Sequence, residues 1–387
     1  MAVLPVMAVS QSGGAQMSSF NGSAPVKPQM RLAVLGDSDS HAFHDAISLK
    51  FGTSEARGGH QQASTWQWTE MLAQLRPQDV DQGPFGEVGS GGMVAWARRN
   101  LMGTVLRHRK EDFRYNFAVS GAGCSALGDE KSGQVASMLQ ELDQYPDAWK
   151  KLPAVVVIRI GINDLGTRER LEAFSSADGA EDGTARAVAC ADAVSVAVKT
   201  LKARYPNLHI ILVGVLNNVD WPPIHERYQD PQSLGHITAV LDVYDGRLRE
   251  LAAGMDGVEF FDDRAFFRNH FGARDAAGKP AYKGVSLGGK REVKVTQGDE
   301  PFNAVIGDGH AGTVWNGLWA AALVERFNQI PGVKIRPIAG LEIARLADPQ
   351  GQFGLGPELP EAPKAPAQPG NQPQTESQTG PQSKPRS

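Results

Sequence analysis

The chain has 387 residues, with 39 Lys+Arg against 43 Asp+Glu and a formal net charge of −4. No apolar run approaches the roughly 20 residues of a membrane helix, no broad basic face of the kind nucleic-acid binders carry is present, and two cysteines are too few for a disulfide scaffold. From Pro357 to Ser387 there are 8 of the 24 prolines and almost no apolar side chain, so that segment cannot bury enough surface to offset its ordering entropy.

These features predict a flexible N-terminus over 1–29, one folded domain over 30–345 and a disordered Pro/Gln-rich tail over 346–387. Val3 to Val9 is apolar and Ala8-Val9-Ser10 resembles a signal-peptidase site, although no Lys or Arg precedes Lys27. We read it as a signal-peptide remnant, which predicts a secreted or periplasmic protein, with the cytoplasm as the alternative. Arg107-His108-Arg109-Lys110 reads as a solvated helix end, and Cys124 and Cys190 as buried thiols in preference to a disulfide.

Taken in chain order, Arg31 to Leu35 is a strand that enters a tight turn at Gly36. Thr65 to Leu75 has its apolar residues at helical spacing. Trp66 and Trp68, two residues apart, cannot share a helix face, so one belongs to the core and the other to a surface or loop contact. Phe113 to Val119 reads as a second strand. Ala154 to Ile160 is nearly continuous Val and Ile, the pattern of a strand covered on both faces; Arg159 within it needs a structural ion pair if buried. A helix over Ala185 to Ala203, a strand over His209 to Val215, a helix over Ile237 to Ala253, a strand over Val258 to Phe261 and a helix over Gly312 to Phe327 follow. Between the last two, 282–296 reads as an inserted hairpin. Strands spaced by helices predict an α/β fold with a parallel sheet.

Chemistry gathers at strand ends, where open parallel sheets bind ligands. Gly36-Asp37-Ser38, Ser120-Gly121 and Gly161-Ile162-Asn163-Asp164 each follow a predicted strand, and Asp308-Gly309-His310 precedes the last helix. Ser38, on a sharp turn from strand to helix, becomes a nucleophile once a base takes its proton. His310 is that base and Asp308 its orienting acid. The backbone N–H groups of Ser38 and Gly121 and the Asn163 amide are oxyanion donors. His41 and His44, on the helix expected after Ser38, are assigned to packing or solvent and not to metal. The long stretches Phe51 to Gly92 and Gly272 to Pro301 are expected to shape the pocket.

These four segments, in this order, resemble the blocks of the SGNH-hydrolase (GDSL-type esterase) superfamily. The resemblance implies a three-layer α/β/α sandwich with a roughly five-stranded parallel sheet, and a serine esterase that removes short-chain, foremost acetyl, esters from a small molecule or glycan, with no cofactor, nucleic acid or membrane span. Two positions depart from the pattern. The residue after the nucleophile is Asp39 in place of Leu, and the position three before the histidine is Gly307, with Asp308 only two before. A Ser-His-Asp triad and a Ser-His dyad are therefore both open. The alternatives are an O-acyltransferase with the same site, a catalytically inactive glycan-binding domain, and a Mg-dependent phosphatase with Asp37 as nucleophile. Each segment alone also has a plain reading as a turn or a helix cap.

Overall fold

Side chains along Met30–Gly36 (β1) alternate between two cores, as the pleat of a strand requires. Met30, Leu32 and Val34 enter one cluster, Ala33 and Leu35 the other. The computed structural model describes residues 27–50, 56–91 and 107–357. The strands that follow are Val80–Asp81 (β2), Phe85–Val88 (β3), Lys110–Phe113 (β4), Ala154–Arg159 (β5), His209–Val213 (β6) and Val258–Phe261 (β7). Five of them form one parallel sheet in the order β2-β1-β5-β6-β7. Helices Trp68–Leu75 and Thr313–Phe327 cover one face, and Gly133–Gln144, Ala177–Arg204 and Pro231–Ala253 the other. This is the expected α/β/α sandwich.

The strand order reverses at β1, so a crevice opens beyond the carboxyl ends of β1 and β5, the usual ligand position in such sheets. The two ends approach closely. Gly36 pairs with Arg159, and a Cβ on Gly36 would collide with the Arg159 carbonyl.

Several expectations are corrected. Phe113 to Val119 is not a regular strand, because β4 ends at Phe113 and pairs antiparallel with β3. Beyond it, Tyr115, Phe117 and Val119 still bond the outer edge of β1, at 2.9, 2.8 and 3.1 Å. The Gln134 side chain takes the Gly36 N–H at 2.8 Å, the donor that would otherwise bond the Phe117 carbonyl, and so interrupts the ladder. No helix follows Ser38. Residues 37–49 are turns, because the Asp37 carboxylate caps the Asp39 N–H and Asp45 caps those of Ile47 and Ser48. The basic cluster is no helix end either: Lys110 opens β4, is buried, and donates to Asp112 at 2.6 Å. Cys124 and Cys190 are joined in a disulfide rather than left as thiols.

In the later segments, Gly272–Arg274 (β8) forms a hairpin with Pro280–Tyr282 (β9). Over 282–296, Val285 and Val293 exchange two backbone hydrogen bonds, and Lys294–Gln297 (β10) pairs with Asn303–Val305 (β11). The packed chain runs past 345. Helix Gly340–Ala347 crosses that position, and Ala347 and Leu355 are both buried in the core. The signal-like N-terminal segment and residues 358–387 of the expected tail lie outside the described residues, as do 51–55 and 92 of the first expected pocket-shaping stretch.

Candidate active site

Ser38 follows β1 by two residues and is almost buried, at 8% exposure. Asn163 lies in the short helix Ile162–Leu165 that follows β5, and Asp308 and His310 sit in the turn between β11 and helix Thr313–Phe327. All four line one cleft of about 440 Å³, together with Asp39, Arg159, Arg168, Asn218, Trp221 and Gln297 among others. Gly121 is not among the lining residues. It is exposed, in the loop after Ser120, with φ +78°, a left-handed conformation that favours glycine. Two bonds tie this loop to the sheet ends: Val119 N–H to the Gly36 carbonyl at 3.1 Å, and Asn163 Nδ2 to the Ala122 carbonyl at 2.9 Å. An amide has two N–H bonds, so Asn163 retains one for a ligand.

His310 Nδ1 is 3.0 Å from Asp308 Oδ1, and the same oxygen accepts the His310 backbone N–H at 3.1 Å. Burial pushes the Asp308 carboxyl up, but the His310 hydrogen bond and the Arg57 charge outweigh it and hold it below the ordinary value. Asp308 is thus a charged acceptor, which puts a proton on Nδ1 and leaves the lone pair on Nε2. Trp221 Nε1 fixes the same turn by donating to the Gly309 carbonyl at 2.7 Å.

Nε2 does not reach Ser38. Among the described residues, no hydrogen bond joins the two side chains. Arg57 stands there instead, with Nη2 at 3.5 Å from Nε2, Nη1 at 3.4 Å from the Ser38 carbonyl and Nε at 3.6 Å from Asp308 Oδ2. Catalytic hydrogen bonds are often long before substrate binds, so the arrangement still suits general-base chemistry.

Asp39, the departure from the family pattern, lines the cleft with its charge compensated: Arg159 Nη2 is 3.9 Å from Asp39 Oδ2 and 3.2 Å from Asp263 Oδ2. Burial lowers the Arg159 guanidinium, but Asp39 and Asp263 outweigh it and raise it above the usual value. Arg159 also stacks over Trp319, 4.5 Å from the ring centroid, so its partners are structural ones. Asp37 turns inward. It is 1% exposed, and burial together with the Asp39 charge holds its carboxyl well above the usual range, which disfavours it as an ionised nucleophile or Mg²⁺ ligand. Asp164 caps Cys124 N–H at 2.7 Å. It lies beside both cysteine sulfurs, but these are consumed in the disulfide and leave it alone as a metal ligand.

Residues 82–281, just over half the chain, match the GDSL-like Lipase/Acylhydrolase family. The chain belongs to that family. It is therefore an ester-bond hydrolase, as the four segments implied. The matched span of this GDSL-like hydrolase contains Gly121 and Asn163, while Ser38, Asp308 and His310 lie outside it. Among solved structures, it is similar to an extracellular lipase from Streptomyces rimosus, at 15% identity and a TM-score of 0.36, over 62% of this chain and 83% of the lipase. Phospholipase A1 from Streptomyces albidoflavus NA297 is similar at 12% identity and a TM-score of 0.33, over 63% and 83% of the two chains. A family 2 carbohydrate esterase with its carbohydrate-binding domain, from Corynascus thermopiles (Myceliophthora fergusii), follows at 16% and 0.29, over 64% and 60%. No curated protein matches the hydrolase. At these scores the assignment rests on the family match alone.

Sequence reasoning missed Arg57, Asn218, Trp221 and Gln297. Arg57 and Gln297 fall within the two long stretches expected to shape the pocket, and that is the only signal either carried. Trp66 and Trp68 divide as expected: Trp68 is fully buried, while Trp66 packs in a loop against the His44 ring at 4.5 Å.

Proposed function

We propose that this hydrolase cleaves short-chain esters, foremost acetyl esters of a carbohydrate, through an acyl-Ser38 intermediate. One observation carries the reading: Ser38, Asn163, Asp308 and His310 line a single cleft at the point where the strand order reverses. His310 Nε2 takes the Ser38 proton as Oγ attacks the acyl carbon, and Asp308 steadies the imidazolium that forms. The N–H groups of Ser38 and Gly121 and the free N–H of Asn163 stabilise the oxyanion. The alcohol leaves with the proton from His310. Water, deprotonated by His310, then attacks the acyl carbon, releases the acid and restores Ser38.

A carbohydrate alcohol is favoured by the lining, which combines the Trp221 indole with the amides of Asn218 and Gln297. The disulfide supports an exported protein, since such bonds persist in oxidising compartments. No helix among the described residues is long and apolar enough to cross a membrane. We read the described residues as one catalytic domain and residues 358–387 as a tether or spacer.

The test is hydrolysis of p-nitrophenyl acetate and of an acetylated oligosaccharide, by the unmodified protein and by Ser38→Ala, with and without EDTA. Activity that survives EDTA and falls at least about 10³-fold in the variant supports the reading. Activity indifferent to Ser38→Ala, or a Mg²⁺-dependent phosphatase activity in its place, overturns it.

A further inference from the structure

His41 has no part in the chemistry above, yet it is 1% exposed and fully engaged. Its Nε2 lies 2.7 Å from Asp45 Oδ2, and its Nδ1 lies 2.8 Å from Ser120 Oγ and 3.1 Å from Ser120 N. A backbone N–H can only donate, so Nδ1 carries the lone pair and the proton sits on Nε2, directed at Asp45. Asp45 is held in turn by the N–H groups of Ile47, Ser48 and Glu111 and by the Ser48 hydroxyl. Burial lowers the imidazole from its ordinary value, only partly offset by Asp45, and so keeps it neutral.

The chain of contacts continues outward. Ser120 Oγ accepts from Arg57 Nη2 at 3.0 Å, and that guanidinium reaches the Ser38 carbonyl and Nε2 of His310 as described above. Ser120 also immediately precedes Gly121. One buried imidazole therefore sits behind both the oxyanion loop and the arginine beside the base.

We propose that His41 is a positioning residue for ester hydrolysis, fixing Ser120 and through it the Gly121 backbone and the Arg57 guanidinium. This rests on Ser38 as the nucleophile. Ser120, His41 and Asp45 share the residue types of a catalytic triad, but the Ser120 hydroxyl is engaged by both His41 Nδ1 and Arg57 Nη2. The group therefore holds the site and does not attack.

Two amide replacements separate this role from mere packing. Asn at position 41 can place an acceptor near the Nδ1 position and keep Ser120, whereas Gln can reach Asp45 but offers Ser120 nothing. On p-nitrophenyl acetate, His41→Gln is expected to lose about 10²-fold in kcat with KM changed less than about threefold, and His41→Asn to recover at least about a tenth of kcat. Ser120→Ala, which removes one hydroxyl, is expected to lower kcat about tenfold with an unchanged thermal midpoint. Equal kcat for the Asn and Gln variants, a loss confined to KM, an unchanged kcat in Ser120→Ala, or a fluorophosphonate adduct on Ser120 would each overturn the proposal. An unmodified protein inactive on the ester would instead count against the Ser38 reading.

Discussion

Asp308 Oδ1 stands 3.0 Å from His310 Nδ1 although a single glycine separates the two residues. An acid two positions before its histidine reaches the ring because the intervening Gly309 adopts φ +92° and folds the turn back on itself. This geometry favours a triad over a dyad. Asp308→Asn is expected to lower kcat on p-nitrophenyl acetate by about 10²–10⁴-fold, since a neutral amide no longer selects the Nδ1–H tautomer. A loss of only a few-fold would indicate the dyad.

Asn163 gives one N–H to the Ala122 carbonyl, and the proposed mechanism directs the other at the oxyanion. Asn163→Ala removes both functions and is expected to reduce kcat by about 10²–10³-fold. Steady-state kinetics should show most of the effect in kcat, because the charge on oxygen develops only in the transition state.

The Cys124–Cys190 disulfide closes a loop of sequence separation 66 and anchors the segment that begins at Gly121 to helix Ala177–Arg204. Replacing both cysteines by serine is expected to cost about 2–5 kcal/mol in urea unfolding. Dithiothreitol should produce the same loss in the unmodified protein and none in the variant.

Glu342 binds Arg76 at 3.1 and 3.0 Å and Arg336 at 3.0 and 2.7 Å. Burial raises its carboxyl, but the two arginines outweigh that and bring it down to about 2 from an ordinary 4.5. The folded-state value lies below the unfolded one, so the contribution is present above about pH 4.5 and lost as pH falls toward 2. Glu342→Gln is expected to destabilise the protein by about 1–3 kcal/mol at pH 7. The gap to the unmodified protein should narrow in unfolding curves taken between pH 4.5 and 2.5.

The central strand was legible because Ala154–Arg159 is buried on both faces and reads as an unbroken apolar run. The convergence of Ser38 and Asn163 on one cleft was legible for a related reason: parallel strands deliver their carboxyl ends to one edge, so polar groups after glycine at the ends of β1 and β5 meet. Phe113 to Val119 misled because Gln134, 98 positions from Gly36, substitutes its side chain for a ladder bond, which apolar spacing does not reveal. The turn at Ser38 read as a helix because the carboxylates of Asp37 and Asp45, which stop one forming, look in sequence like ordinary polar residues. Arg57 reaches His310 across 253 positions, and no local pattern records a contact of that range. The disulfide escaped because two cysteines far apart in sequence carry no spacing that pairs them.

The most direct test of the account is to map the serine labelled by a fluorophosphonate probe in the unmodified protein. The account predicts one adduct on the tryptic peptide containing Ser38, formed equally in EDTA and abolished by Ser38→Ala. Labelling of a different serine, or none at all while esterase activity is present, would contradict it.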